Sequence, residues 1–125
     1  MPLASGAAEA AALNGLDGTG STNVIPDVSL HTSSPSTTGA NENANTGSYA
    51  RQACSWNAAN SGTGTKTNST ALTFATAGSV PVTHFGTWNS ATYGAGTYAI
   101  GGALTSSVTA ASITFAAGSI TLSAT

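Results

Sequence analysis

Four side chains of this sequence could do acid–base or metal chemistry together: His31, His84, Asp27 and Glu42. An imidazole and a carboxylate can share a metal ion, or can act as a base with an orienting partner. Neither histidine has a second ligand at a motif spacing such as H-x-x-x-H, and no G-x-S-x-G segment offers a serine nucleophile. We therefore interpret both histidines as hydrogen-bonded structural residues and expect no metal and no cofactor.

Two glycine-rich segments look superficially like nucleotide-binding loops. Gly62–Thr67 reads GTGTKT, but the phosphate-binding loop needs Lys directly after Gly and a helix behind it. Gly94–Gly96 lacks the third glycine and the following helix of a dinucleotide site. Both segments predict turns between strands.

The carboxylates are too few to predict a hydrolase. A glycoside hydrolase needs two carboxyl groups across one sugar bond. The only candidates are Glu9, Asp17, Asp27 and Glu42, scattered over the first third of the chain. We expect the protein not to be an enzyme.

Arg51 and Lys66 are the only fixed cations, and charged residues make up 5% of the 125 residues, against about 25% in a typical soluble protein. In so uncharged a chain we expect an arginine on a strand to pair with Glu42 or Asp27, within one chain or between subunits. The alternative is a solvated or stacked arginine on the sheet face. Two cations cannot supply the phosphate contacts of a nucleic-acid site, so we expect no nucleic-acid partner.

Trp56, Trp88, Tyr93 and Tyr98 could form an aromatic platform for a sugar. Aromatic residues spread over separate strands are more often core and rim residues. The segment from Trp88 to Tyr93 borders a loop, which makes Trp88, Tyr93 and Tyr98 the candidate rim of a binding surface.

Cys54 is the only cysteine, so no intrachain disulfide is expected, and we interpret it as a buried thiol. The N-terminal segment lacks a basic region and carries Glu9 in its apolar run, which argues against a signal peptide. It is also too short to span a membrane. We expect folding in a reducing cytoplasm, with no membrane partner.

The sequence divides into an N-terminal arm and linker, residues 1–23, and one β domain, residues 24–125. Ser5–Leu16 predicts a short helix, or an extended arm, that needs a surface to dock on. Short segments with period-2 alternation and glycine-rich breaks predict an all-β fold, a single β-sandwich or jelly-roll-like domain. Seven strands are predicted: Val24–Thr32, Tyr49–Asn57, Thr67–Thr76, Val80–Thr87, Thr97–Leu104, Ser107–Phe115 and Ser119–Ser123. We expect the last two to form a hairpin with Gly118 in its loop.

Large apolar side chains are few for a chain of this length, so we expect subunit contacts to supply part of the stability. Long charged side chains are depleted in interface cores because ordering and desolvating them is costly. A chain almost without them suits an obligate oligomer, for which we expect a homotrimer.

Three motifs of the β region resemble those of a family of small tailed-bacteriophage virion proteins, which are labelled as tail fibre or head decoration proteins. The motifs are Leu30-His-Thr32 with the loop Pro35-Ser-Thr-Thr-Gly39, then Tyr49-Ala-Arg51, then Val82-Thr-His84 with Gly86 and Trp88. The resemblance covers residues 28–125. It implies a structural protein of the virion, assembled in the host cytoplasm.

Within that setting we expect the protein to decorate or cement the outside of the capsid as a symmetric oligomer, with the major capsid protein or other virion proteins as partners. The alternative is a tail-fibre or tail-tip module that binds a host-surface glycan, with Trp88, Tyr93 and Tyr98 as its receptor rim. The candidate contacts with neighbouring subunits or the capsid are Leu3, Leu13, Leu16, Pro35, Glu42 and Arg51.

Overall fold

The computed structural model describes residues 6–18, 23–43, 48–76 and 78–123. Within these ranges the chain forms one helix and eight strands, which confirms the all-β prediction with a short N-terminal helix. The elements are α1 Gly6–Leu16, β1 Asp27–His31, β2 Gln52–Ala53, β3 Thr65–Thr67, β4 Leu72–Ala75, β5 Val82–Trp88, β6 Tyr98–Val108, β7 Ser112–Phe115 and β8 Thr121–Ser123.

The described strands pair antiparallel in one large sheet and two small ones. The large sheet has the order β2-β1-β5-β6, and the small sheets are β3-β8 and β4-β7. One hydrophobic cluster joins all three sheets, and its members include Val28, Leu30, Phe85, Phe74, Ile113 and Leu122. The fold is therefore a β-sandwich whose core lies between the large sheet and the two small ones.

Period-2 alternation is clearest in β4 and β7. Leu72 and Phe74 are buried while Thr73 between them is exposed. On the outer face the Thr73 hydroxyl lies 3.1 Å from the Thr114 hydroxyl of the paired strand. Threonine suits this position because its branched Cβ fits a pleated strand while its hydroxyl faces water.

The predicted hairpin of the last two strands is wrong. β7 pairs with β4, and β8 pairs with β3. The buried Asn68 lies in the loop between β3 and β4, and its amide donates to the Ala116 carbonyl at 3.1 Å and accepts from the Ile120 N–H at 2.9 Å. The Gly118 N–H donates to the Asn68 carbonyl at 2.8 Å. The β7–β8 loop therefore closes around this asparagine instead of forming a tight turn of its own.

Three predicted strands also differ from the structure. The expected strand Ser107–Phe115 is split, because β6 extends to Val108 and β7 begins at Ser112. The expected strand Thr67–Thr76 is divided into β3 and β4 by the Asn68 loop. The expected strand Tyr49–Asn57 pairs with β1 only at Gln52 and Ala53. The pairing ends there because residues 41–43 lie along the remaining part of that edge of β1. They form a bridge between His31 and Glu42 and a hydrogen bond from the Asn43 N–H to the Leu30 carbonyl.

Helix α1 is held against the β domain by an apolar and a polar contact. Leu13 is 1% exposed and belongs to the core. The buried Lys66 of β3 donates to the Asn14 side chain at 3.0 Å and to the Asp17 carboxylate at 2.9 Å. The cation lies next to the C-terminal end of the helix, where a positive charge also interacts favourably with the helix dipole.

No helix in the described part of the chain is long and apolar enough to cross a membrane.

Candidate functional site

The large sheet has a second buried face, which is polar. Val28 and Leu30 of β1 point into the core, while Asp27, Ser29 and His31 alternate with them. All five residues are buried, so the opposite face of the sheet is covered too. An antiparallel sheet often leaves one face in water, and here the segments 32–43 and 89–97 contribute the cover.

A buried ion pair joins Arg51 to Glu42 at this face. Arg51 Nη2 donates to Glu42 Oε1 at 2.8 Å, and Arg51 Nε donates to Oε2 at 2.9 Å. The side chains are 0% and 8% exposed. The expectation that Arg51 has a carboxylate partner is confirmed, and the partner is Glu42 of the same chain, in the bidentate geometry that is strongest for this pair.

Arg51 also holds the loop that follows β5. Its Nη1 donates to the Ser90 and Ala95 carbonyls, each at 2.9 Å. Its guanidinium carbon lies over the Trp88 ring, 3.8 Å from the centroid. One side chain therefore connects the segment before β2, the residue Glu42 and the loop at 89–97.

Tyr49 completes the bonding of the Glu42 carboxylate. Its hydroxyl donates to Glu42 Oε2 at 3.0 Å and accepts from the Leu30 N–H at 3.1 Å. Burial raises the pKa of Tyr49 far above its usual value, so the phenol stays protonated and remains a donor. Sequence reasoning missed this role, although Tyr49 precedes Arg51 by two residues, the spacing that places side chains on one face of an extended chain.

A chain of hydrogen bonds runs from Trp88 through Ser29 to His31. Trp88 Nε1 donates to the Ser29 hydroxyl at 2.8 Å, which lies 2.7 Å from His31 Nε2. His31 Nδ1 lies 2.7 Å from the Ala40 carbonyl and must be its donor. This assigns the neutral Nδ1–H tautomer, with Nε2 accepting from Ser29. Burial lowers the pKa of His31, so the neutral form of the imidazole is favoured.

The loop that contains Gly39 can approach the large sheet closely because this residue is a glycine. Gly39 has φ +76°, and a Cβ there would lie 2.5 Å from the Trp88 ring. Only glycine combines this backbone conformation with that distance. Two N–H groups of the loop, those of Gly39 and Ala40, donate to the Pro35 carbonyl at 2.9 and 3.0 Å.

A cleft of about 450 Å³ opens above the ion pair, and we name it the Tyr93 cleft. Its lining residues are Thr38, Gly39, Asn41, Glu42, Arg51, Trp88, Tyr93 and Gly94. Trp88 is 8% exposed, whereas Tyr93 is 39% exposed. The Tyr93 ring packs edge-on against the buried Tyr49 ring, with centroids 6.4 Å apart.

The three aromatic residues of the predicted rim are close together but differ in exposure. Trp88 and Tyr98 are paired across β5 and β6, and their ring centroids are 5.5 Å apart. The Tyr98 ring also contacts His31, with centroids 6.5 Å apart. Only Tyr93 presents a large exposed surface at the cleft.

The other predicted contact residues lie in different places. Leu3 lies outside the described residues. Leu13 is inside the core, and Leu16 packs against it, half-buried. Pro35 is buried.

The ionisable groups around the sheet do not gather into a metal centre. His31 and His84 face each other across β1 and β5, and His84 Nδ1 lies 2.7 Å from the Thr83 hydroxyl. Asp27 is buried, and burial raises its pKa against the opposing effect of Arg51. Among residues 6–18, 23–43, 48–76 and 78–123 no three of His, Cys, Asp and Glu are grouped as metal ligands would be.

Comparison with known proteins identifies the family. The family model described as podophage GP4 fiber I protein gp80 matches residues 5–123. No curated protein matches the chain. The match spans nearly the whole sequence and confirms the resemblance to small phage virion proteins that the strand motifs indicate. The chain therefore belongs to the podophage GP4 fiber I protein gp80 family and is a bacteriophage virion component.

Proposed function

We propose that this protein is a non-enzymatic structural subunit of the phage fibre. The observation that carries the proposal is the family match over residues 5–123, whose description names a fibre protein. The geometry agrees with such a role, because the polar groups of the Arg51–Glu42 site bond to one another and to the backbone. These hydrogen bonds fix the shape of the surface around the Arg51–Glu42 pair.

The placement of the carboxylates supports a role without catalysis. Glu42 accepts three hydrogen bonds from Arg51 and Tyr49. Asp17 is paired with Lys66. A catalytic carboxylate has to be free to exchange a proton with a substrate or to attack it, and these two are engaged in holding the fold.

The placement of the cations supports the absence of a nucleic-acid partner. Arg51 and Lys66, the only fixed cations, have side chains that are 0% exposed. A phosphate backbone is bound by lysine and arginine at the surface. We also propose that the protein has no membrane partner and that it is assembled into the virion in the host cytoplasm.

Self-association is supported by the free edge of the large sheet. In the described part of the chain β6 is the end strand, and its 11 residues carry no charge and no proline. Charged residues and proline are the usual protection of such an edge against pairing with another chain. We propose that the protein assembles as a homotrimer and contacts other virion proteins.

Decoration of the capsid exterior is the second candidate. The observation in its favour is that the one helix described has 11 residues, too few for the coiled coil that often extends a fibre. In that case the partner would be the major capsid protein.

Fractionation of virions tests the two candidates. Purified particles are separated into heads and tails, and antibody against the protein locates it by immunogold electron microscopy. We expect the label on the fibres around the tail. Label spread evenly over the heads would support decoration and reject the fibre role.

A further inference from the structure

We propose that the side chains of Lys66 and Asn14 react with each other to form an isopeptide bond between β3 and helix α1, with Asp17 as the proton acceptor. This covalent modification goes beyond the proposed fibre function and does not depend on it. The three side chains meet at the C-terminal end of α1, where an amine lies within hydrogen-bond distance of both a carboxamide and a carboxylate.

The nucleophile is the amine of Lys66, the only lysine of the chain. Its side chain is 0% exposed, which is rare for a lysine. An amine is a nucleophile only after it has lost its proton. Asp17 Oδ2 lies 2.9 Å from Lys66 Nζ and is placed to take that proton, which leaves a neutral amine beside a neutral carboxylic acid.

The electrophile is the side-chain carboxamide of Asn14. Its Oδ1 accepts from Lys66 Nζ at 3.0 Å and from the Ala59 N–H at 2.9 Å. A backbone N–H aimed at this oxygen stabilises the negative charge that develops there when the amine attacks Cγ. Because the fold holds the amine against the carboxamide, the reaction is intramolecular, and this placement lowers the barrier.

Core residues shield the site from water. Leu13, which precedes Asn14, and Leu122, which is opposite Lys66 in the β3–β8 register, are each 1% exposed. Exclusion of water strengthens the electrostatic interactions inside the site and limits competing hydrolysis. The Asp17 side chain is 18% exposed, so a small leaving molecule has a path to solvent beside it.

The reaction balances without any co-reactant. The bond from Lys66 Nζ to Asn14 Cγ forms, the bond from Asn14 Cγ to Nδ2 breaks, and the electron pair of the broken bond stays on Nδ2. One proton passes from Nζ to Nδ2, and ammonia leaves. It takes the proton held by Asp17 and reaches solvent as ammonium, so the carboxylate is restored. No atom is oxidised or reduced.

The bond would tie α1 to the β domain across a separation of 52 residues. A cross-link of this kind stabilises a fold by restricting the unfolded chain, as a disulfide does. Cys54 is the only cysteine and has no partner in the chain for a disulfide. The reaction occurs once in each chain and has no turnover, so it is compatible with a structural subunit.

The test is the mass of the intact wild-type chain and of its tryptic fragments, after denaturation. Trypsin cleaves after Arg51 and Lys66, so the unmodified chain gives three fragments. An isopeptide-bonded Lys66 is no longer a trypsin site, and the bond joins the fragments on either side of Arg51. We expect a chain lighter than its sequence by one ammonia molecule, and a digest in which residues 1–51 and 52–125 stay joined.

Two variants separate the covalent bond from the ion pair. Lys66→Arg keeps a cation beside Asp17 and a trypsin site, but its guanidinium stays protonated and does not attack an amide. Asp17→Asn keeps the amine and removes the proton acceptor. Both should have unmodified masses and be cut after residue 66. A melting curve shows that each variant is folded, and the wild type alone decides whether the bond exists.

Four results would overturn the inference. A wild-type chain of unmodified mass would show that no bond forms, and loss of one water molecule would place the bond on Asp17. A succinimide at Asn14-Gly15 also releases ammonia but leaves Lys66 open to trypsin, so a lighter chain that still gives three fragments would reject the cross-link. A bond that forms equally in Asp17→Asn would reject the role of that carboxylate.

Discussion

The guanidinium of Arg51 lies over the indole ring of Trp88, with its central carbon 3.8 Å from the ring centroid. The same guanidinium bonds to Glu42 in a bidentate pair and to two carbonyls of the loop after β5. Arg51 is thus the residue on which the polar face of the sheet and the base of the Tyr93 cleft depend.

Replacement of Arg51 by alanine should lower the free energy of unfolding by about 3–5 kcal/mol, because it leaves the Glu42 carboxylate buried without its cation. Arg51→Lys should recover only part of this loss, since an ammonium cannot reproduce the planar, bidentate contact. Urea unfolding measures both. The control is Gln52→Ala on the next residue, which should stay within about 0.5 kcal/mol of the wild type. An Arg51→Ala protein as stable as that control would contradict the role assigned to the pair.

The attachment of helix α1 depends on Lys66. Lys66→Ala should destabilise the protein by about 3–5 kcal/mol, since Asp17 and Asn14 lose their buried partner. Lys66→Met keeps most of the volume, so it should cost less than the alanine variant. Hydrogen exchange should show loss of protection in α1 first. If protection changed equally in all strands and α1 kept its own, the anchoring role would be wrong.

Acid should destabilise the protein through His31. Burial lowers the pKa of His31 below 6.5 in the folded state, so the unfolded chain binds the proton more tightly. Stability is therefore unaffected by this group above the unfolded pKa and falls as the pH drops below it. Asp27 acts in the opposite direction and at lower pH, because its raised pKa favours proton uptake by the folded state.

The measurement is the unfolding free energy of the wild type and of His31→Gln between about pH 8 and about pH 5. The advantage of the wild type over the variant should shrink as the pH falls. The control is His84→Gln, which removes the half-buried histidine on the neighbouring strand. A difference between the wild type and His31→Gln that does not change with pH would show that His31 titrates normally.

Gly39→Ala should be far more disruptive than Gly118→Ala. Both glycines have positive φ, +76° and +83°, so each alanine carries a similar conformational cost of about 1–2 kcal/mol. At Gly118 nothing lies within 4 Å of the added carbon, whereas at Gly39 the Trp88 ring lies 2.5 Å away. The Gly39 variant should lose about 1–3 kcal/mol more, with a change in tryptophan fluorescence. Equal losses would mean that the loop can move away from Trp88 without cost.

Cys54 should be unreactive in the native protein. It is buried, and burial raises the pKa of its thiol to about 12, so almost no thiolate is present at neutral pH. A thiol reagent such as iodoacetamide should modify it slowly in buffer and rapidly in denaturant. Native labelling as fast as that of a free cysteine would show that the site opens readily.

The sequence was most informative where its signals are local. Alternation of large apolar residues with threonine predicted β4, β7 and β8, because a period of two reflects burial on one face alone. The scarcity of charge predicted that Arg51 would be paired. Both inferences need only the neighbouring residues or the composition.

Inferences failed where a distant polar group decides the structure. The hairpin between the last two strands was wrong because Asn68, about fifty residues away, satisfies the backbone of that loop. Lys66 looked like a loop residue and is instead buried against α1. Neither contact has a period or a motif in the sequence, since both depend on which strands meet in the sandwich.

The copy number of the protein in purified virions, measured by quantitative mass spectrometry against the major capsid protein, tests the central claim most directly. A fibre subunit should be present in a small fraction of the capsid copy number. A ratio near one per capsid subunit, or one per local threefold axis of the shell, would contradict the fibre role and assign the protein to the capsid exterior.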